Sequence, residues 1–78
     1  MNPTSTVMLG NGYMLIHYYD DDKIGYICDI TNRKGTKMIT FPSRRDDSWQ
    51  KIRKEAMAYA RKNSLEDLLL VLKEARVR

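Results

Sequence analysis

Five cations bracket one short stretch of the chain. Arg33, Lys34 and Lys37 surround the Asn32–Gly35 turn, and Arg44 and Arg45 follow Phe41-Pro42. Ammonium and guanidinium groups clustered in this way can hold phosphate oxygens, and Arg or Lys can also reach the acceptor edge of guanine. The remaining chemistry-bearing residues offer less. His17 is the only histidine and Cys28 the only cysteine, so the chain can build neither an internal disulfide nor a four-ligand zinc site of Cys and His. His17 has no evident partner as a general base and reads as a partly exposed sheet histidine. Asp20-Asp21-Asp22 sets three carboxylates in a row, whereas calcium loops space their ligands at alternate positions with a glycine and a distal Glu; the triplet reads as a turn. With no Ser/His/Asp or Cys/His arrangement and no glycine-rich phosphate loop, neither catalysis nor a metal or cofactor is expected.

The 78 residues suit one small domain, residues 1–78, and the net charge of +4 is unevenly spread. Residues 1–30 carry Lys23 against Asp20, Asp21, Asp22 and Asp29, a balance of −3. Residues 31–62 carry ten cations against Asp46, Asp47 and Glu55, a balance of +7, and residues 63–78 are neutral. The basic middle is either a solvated helix face or a surface for a polyanion. The start of the chain lacks the pattern of a secretory signal and Leu68–Leu72 is too short to span a bilayer, so a cytoplasmic setting and no membrane partner are expected.

The cations need elements to position them, and the sequence supplies five. Tyr13–Tyr19 is aromatic and β-branched after Asn11-Gly12, and reads as a strand. Ile24–Thr31 alternates, with Ile24, Tyr26, Cys28 and Ile30 on one face and Gly25, Ile27, Asp29 and Thr31 on the other. Cys28 is thereby read as a small core hydrophobe. Asn32–Gly35 has hairpin composition, with Gly35 suited to a positive φ. Thr36–Phe41 is a third strand, ended by Pro42. From Asp46 the period changes: Trp49, Ile52, Ala56, Tyr59 and Ala60 form a helical stripe, with Asp47 as N-cap and Asn63 as terminator. Ser64 then caps a leucine-rich segment, for which a helix is favoured over a strand.

The expected fold is α+β: a three-stranded antiparallel meander (13–41) packed on one amphipathic helix (47–62), with a short C-terminal helix (64–76) and a loose arm at 1–8. His17 is taken to point outward, which sets Tyr13, Leu15, His17 and Tyr19 on the open sheet face beside Ile27; the other choice is Met14, Ile16 and Tyr18. The resulting patch could be covered by the C-terminal helix, by a second copy or by a macromolecular ligand.

The run GYICDITNRKGTKMITF followed by a capped helix resembles the arm-type, AP2-like β-β-β-α DNA-binding domains at the N-termini of phage integrases. The likeness spans residues 13–62 and rests on the hairpin pattern. It implies a sheet that enters the major groove of duplex DNA, using Arg33, Lys34, Lys37 and the face around His17 and Tyr19. The chain differs in showing no recombinase domain and in carrying the segment after Asn63.

Three function classes follow. A small non-enzymatic, nucleic-acid-binding protein leads, with duplex DNA favoured and Arg33, Lys34, Lys37, Arg44, Arg45, His17 and Tyr19 as the contact set. The alternative is a phage or mobile-element protein that binds and inhibits or regulates a host protein complex, as anti-CRISPR proteins do. The third is a homodimer through Leu65, Leu68, Leu69 and Leu72.

Overall fold

The Asn11-Gly12 pair organises the start of the chain. Both residues take left-handed backbone angles, φ 52° and 82°, as a two-residue hairpin turn with the twist of its flanking strands requires. The turn joins β1 (Asn2–Gly10) to β2 (Tyr13–Asp20) in antiparallel register, with Thr6 opposite Ile16 and Val7 opposite Leu15. The computed structural model of the chain describes residues 2–75, and the side chains from residue 5 onward.

Residues 2–8, expected as a loose arm, are therefore a strand. β1 sits at a sheet edge, where Pro3 is tolerated because one side of the strand needs no ladder partner. Val7 and the buried Leu9 supply its share of the core. The remainder of the sheet follows expectation. β3 (Gly25–Thr31) and β4 (Lys37–Ser43) complete a four-stranded antiparallel meander in the order β1-β2-β3-β4. The class is α+β, with one strand more than the sequence suggested.

Each turn has an identifiable cause. Asp20 Oδ1 accepts from the backbone N–H of Asp22 at 2.9 Å and of Lys23 at 3.3 Å, so the acidic triplet turns on its own side chain. Ile24, expected in the core, instead lies in this turn, 81% exposed and at φ 51°. Asn32 Oδ1 accepts from the N–H groups of Lys34 and Thr36, and Gly35 takes φ 82°. A register shift near Met38 lets Lys37 pair with Thr31 while Ile39 pairs with Ile30.

Two helices cover one face of the sheet. α1 spans Trp49–Lys62 and α2 spans Glu66–Glu74. The N-cap of α1 is Ser48, one residue later than expected: its Oγ accepts from the Lys51 N–H at 3.2 Å. Asp47 reaches back to the Arg44 N–H at 2.8 Å and forward to Lys51 Nζ at 3.1 Å. α1 ends at Asn63 as expected. Leu65 N–H donates to Ala60 O and Ser64 N–H to Arg61 O, with Ser64 left-handed at φ 57°; this is a Schellman closure. Ser64 thus ends α1 and does not cap α2, which starts at Glu66 without a side-chain cap. The expected last helical residue of α2, 76, lies outside the described residues.

Ala56 and Ala60 are fully buried and let α1 approach the sheet closely. Phe41 stacks on Tyr59 with ring centroids 5.4 Å apart. Arg53 ties the helices together: Nε donates to Leu72 O at 2.7 Å and a terminal nitrogen to Lys73 O at 2.9 Å, satisfying carbonyls at the end of α2. Leu68 and Leu72 have no exposed surface, and Leu65 and Leu69 pack against the same core. Each fully buried leucine contributes roughly 1.5–3 kcal/mol to this chain's own fold. A dimer through these four would have to open that core.

Candidate nucleic-acid interface

The register decides which side chains share a face. Leu15 lies opposite Ile30, His17 opposite Cys28, and Tyr19 opposite Tyr26; Cys28 in turn faces Phe41. Leu15 and Cys28 are in the core beneath the helices, so Tyr13, Leu15, His17 and Tyr19 are on the helix-covered face. The outward assignment of this set is corrected. Only 5% of His17 is exposed, and its ring lies against Tyr26 at 5.4 Å. The open face instead carries Met14, Ile16 and Tyr18 from β2, beside Ile27 and Asp29 from β3.

On that open face Tyr18 reaches diagonally to β3, and its hydroxyl donates to Asp29 Oδ2 at 2.9 Å. Lys37 Nζ approaches the same oxygen at 3.4 Å. Asp29 is buried beneath the two. Burial first, then the bond to Asp29, pushes the Tyr18 hydroxyl up to about 12. Lys37 therefore neutralises a buried carboxylate, a structural task the sequence did not reveal.

Cys28 is fully buried, as its alternation implied. Desolvation pushes its thiol up to about 11, partly offset by the Ser43 hydroxyl beside it. A thiol in this state is a poor nucleophile near neutrality. Among the described residues no group of three or more His, Cys, Asp or Glu could hold a metal ion, and no helix is long and apolar enough to cross a membrane.

The expected contact residues separate into two groups. Arg33 and Lys34 sit on the β3–β4 turn, with Lys37 at the start of β4. Arg44 and Arg45 follow the other end of that strand, about 20 Å away at roughly 3.3 Å per residue. Tyr19 belongs with the second group, because Tyr19, Tyr26 and Ser43 form one cross-strand row. Tyr19 and Tyr26 meet edge-to-face at 5.3 Å. His17 lies inside the fold and joins neither group.

The hairpin end has further cations near it, Arg61 and Lys62, which the sequence turns toward solvent or a partner. Tyr59 of α1 stacks on Phe41 of β4, and the connection directly after the last turn with Arg61 and Lys62 meets Met38 near the start of that strand. A cleft of about 310 Å³ marks the junction, lined by Tyr13 and Met38 from the sheet and by Ser64 to Leu68 from the helical connection. Arg33, Lys34, Arg61 and Lys62 are all exposed, and among the described residues none has a side-chain ion-pair partner. At the opposite end Arg44 and Arg45 are followed by Asp46 and Asp47. The Asp47 carboxyl is pushed up by burial, but the Arg44 N–H and the Lys51 ammonium outweigh that and hold it below its ordinary value.

The Asn11-Gly12 turn supports the hairpin tip from the side. A Cβ added to Gly12 would lie 2.7 Å from Arg33 Cβ, so the base of the Arg33 side chain rests directly on the glycine backbone. These features define a two-layer α+β domain with one helix-covered sheet face and a cationic end. Comparison with protein-family models, curated proteins and solved structures finds no match for this chain.

Proposed function

We propose that the chain binds nucleic acid, duplex DNA in first place, through the end where the β3–β4 hairpin and the last turn of α1 meet. The observation that carries this reading is the set Arg33, Lys34, Arg61 and Lys62: exposed, without side-chain ion-pair partners among the described residues, and borne by the β3–β4 turn and by the helix turn whose following connection meets Met38 and Tyr13. Cations left free of internal partners release counterions when they meet phosphates.

Dimensions favour the hairpin over the whole sheet as the inserted element. Four strands at about 4.8 Å spacing measure about 14 Å between the outer axes, whereas a major groove is about 12 Å wide and admits a two-stranded ribbon. The β3–β4 ribbon carries Arg33 and Lys34 at its tip. Lys37 lies nearby, held by Asp29, and serves as a secondary contact.

The test is a salt titration of binding to a short random duplex, with single-stranded RNA as a parallel probe. Arg33→Glu with Lys34→Glu should abolish duplex binding and flatten the salt dependence, which otherwise falls by about 0.9 in log K per phosphate contact for every tenfold rise in salt. Arg44→Glu with Arg45→Glu should weaken it less. Absence of duplex binding at low salt, or indifference to the Arg33/Lys34 pair, overturns the reading.

A further inference from the structure

The cleft of about 310 Å³ between the sheet and the helical connection is apolar in its depth and acidic at its mouth. Leu68 has no exposed surface, Tyr13 and Met38 are half-buried, and Ser64, Glu66 and Asp67 are exposed. His17, Tyr19, Tyr26, Phe41 and Tyr59 pair with one another, whereas among the described residues no ring pairs with Tyr13. Nor does either carboxylate at the mouth have an ion-pair partner among the described residues.

Cations stand on both sides of this cleft. Arg33 rests on Gly12, the residue before Tyr13. Across the connection, a depression of about 200 Å³ shares Ser64, Leu65 and Glu66 with the cleft and is also lined by Arg61. A phosphate is drawn to these cations and repelled from the Glu66–Asp67 mouth. Only an uncharged part of a nucleic acid can therefore fill the cleft while the backbone lies beside it.

We infer that the cleft takes one unpaired base of a nucleic acid whose phosphates lie on Arg33 and Arg61, an inference that rests on the nucleic-acid function proposed above. Its volume is at the lower end of small-ligand sites, which start at about 300 Å³. The base stacks on the Tyr13 ring and the Met38 thioether, and its exocyclic amino group donates to Glu66 or Asp67. Bases inside an intact duplex are stacked and out of reach, so the base comes from a single-stranded end, a bulge or a mismatch. The carboxylates favour cytosine over thymine, which presents a carbonyl oxygen where cytosine presents its amino group.

Binding of the full chain at low salt to a labelled random duplex tests this, with the duplex blunt or carrying a short single-stranded tail of cytidine, thymidine or abasic sites. The abasic tail keeps the phosphates and lacks only the bases, so the wild-type protein alone gives a decision. The cytidine tail should bind at least about fivefold tighter than the abasic tail, with the thymidine tail between them. Tyr13→Leu keeps an apolar side chain against the core and should remove that gain. Glu66→Ala with Asp67→Ala should bring the two pyrimidine tails level. Equal affinity for cytidine and abasic tails, or a gain that Tyr13→Leu leaves intact, overturns the inference, while blunt-duplex binding keeps the proposed function standing. No binding of any probe overturns both.

Discussion

Arg33 rests on Gly12: the space a Cβ would need at Gly12 ends 2.7 Å from the Cβ of Arg33. Two hairpin turns, twenty-one residues apart in sequence, are thereby packed into one end of the sheet. The glycine is required twice, once for its positive φ of 82° and once for this approach. Gly12→Ala should lower unfolding stability by more than the roughly 1–2 kcal/mol that left-handed geometry alone costs. Arg33→Gly removes the clashing Cβ and should recover the excess. Urea denaturation of the two single variants and the double variant measures the coupling, and a coupling of zero would show that the two turns do not touch.

Asn11-Gly12 was also the clearest message in the sequence about the part of the fold that the reading missed. A two-residue turn of this kind requires a strand on both sides, yet Asn2–Thr6 is polar and contains a proline, so it gave no apolar alternation strong enough to be read as a strand. An edge strand buries little and therefore leaves little pattern. For β3 the alternation assigned Cys28 and Ile30 to the core face correctly, but it also put Ile24 there, which lies exposed in the preceding turn. β2 failed for a different reason: a single histidine was allowed to outweigh Leu15 on the same face. Cross-strand register pairs His17 with Cys28 and draws both inward, and register is a tertiary property that one strand's composition does not contain. The hairpin cations were legible as charges; the arrival of Arg61 and Lys62 beside them depends on the path of α1.

Ser64 occupies the left-handed position of the closure after α1. Ser64→Gly keeps both closing hydrogen bonds and removes the Cβ strain, so the variant should be more stable by about 0.5–1 kcal/mol. A rise in the urea midpoint at unchanged slope is the expected observation. No gain would mean that the added freedom of the unfolded chain cancels the relief.

Ile24 presents the same strain in a harsher form, because a β-branched residue is poorly suited to φ 51°. Its side chain is 81% exposed, so little packing is lost on removal. Ile24→Asn should stabilise the chain by about 1 kcal/mol. Thermal melts of wild type and variant decide the matter. A destabilised variant would show that the isoleucine contributes packing that outweighs the backbone strain.

The Tyr18–Asp29–Lys37 arrangement makes stability depend on alkaline pH with a defined sign. Tyr18 titrates near 10 when unperturbed and near 12 in the folded chain. Between those values the unfolded chain has released the proton that the folded chain still holds, so stability falls as pH rises. Below pH 10 this contribution is fully present. Cys28, raised from 9 to about 11, adds a loss of the same sign over the window from pH 9 to 11. Tyr18→Phe should cost about 1–3 kcal/mol at neutral pH by removing a donor from a buried carboxylate. It should also remove the Tyr18 share of the decline between pH 10 and 12, and Cys28→Ala the Cys28 share between pH 9 and 11, so that above pH 11 the loss is due to Tyr18 and below pH 10 to Cys28. Urea midpoints recorded from pH 8 to 12 for the three proteins separate these effects. A Tyr18→Phe variant with the wild-type decline above pH 11 would mean that its hydroxyl is not held by Asp29.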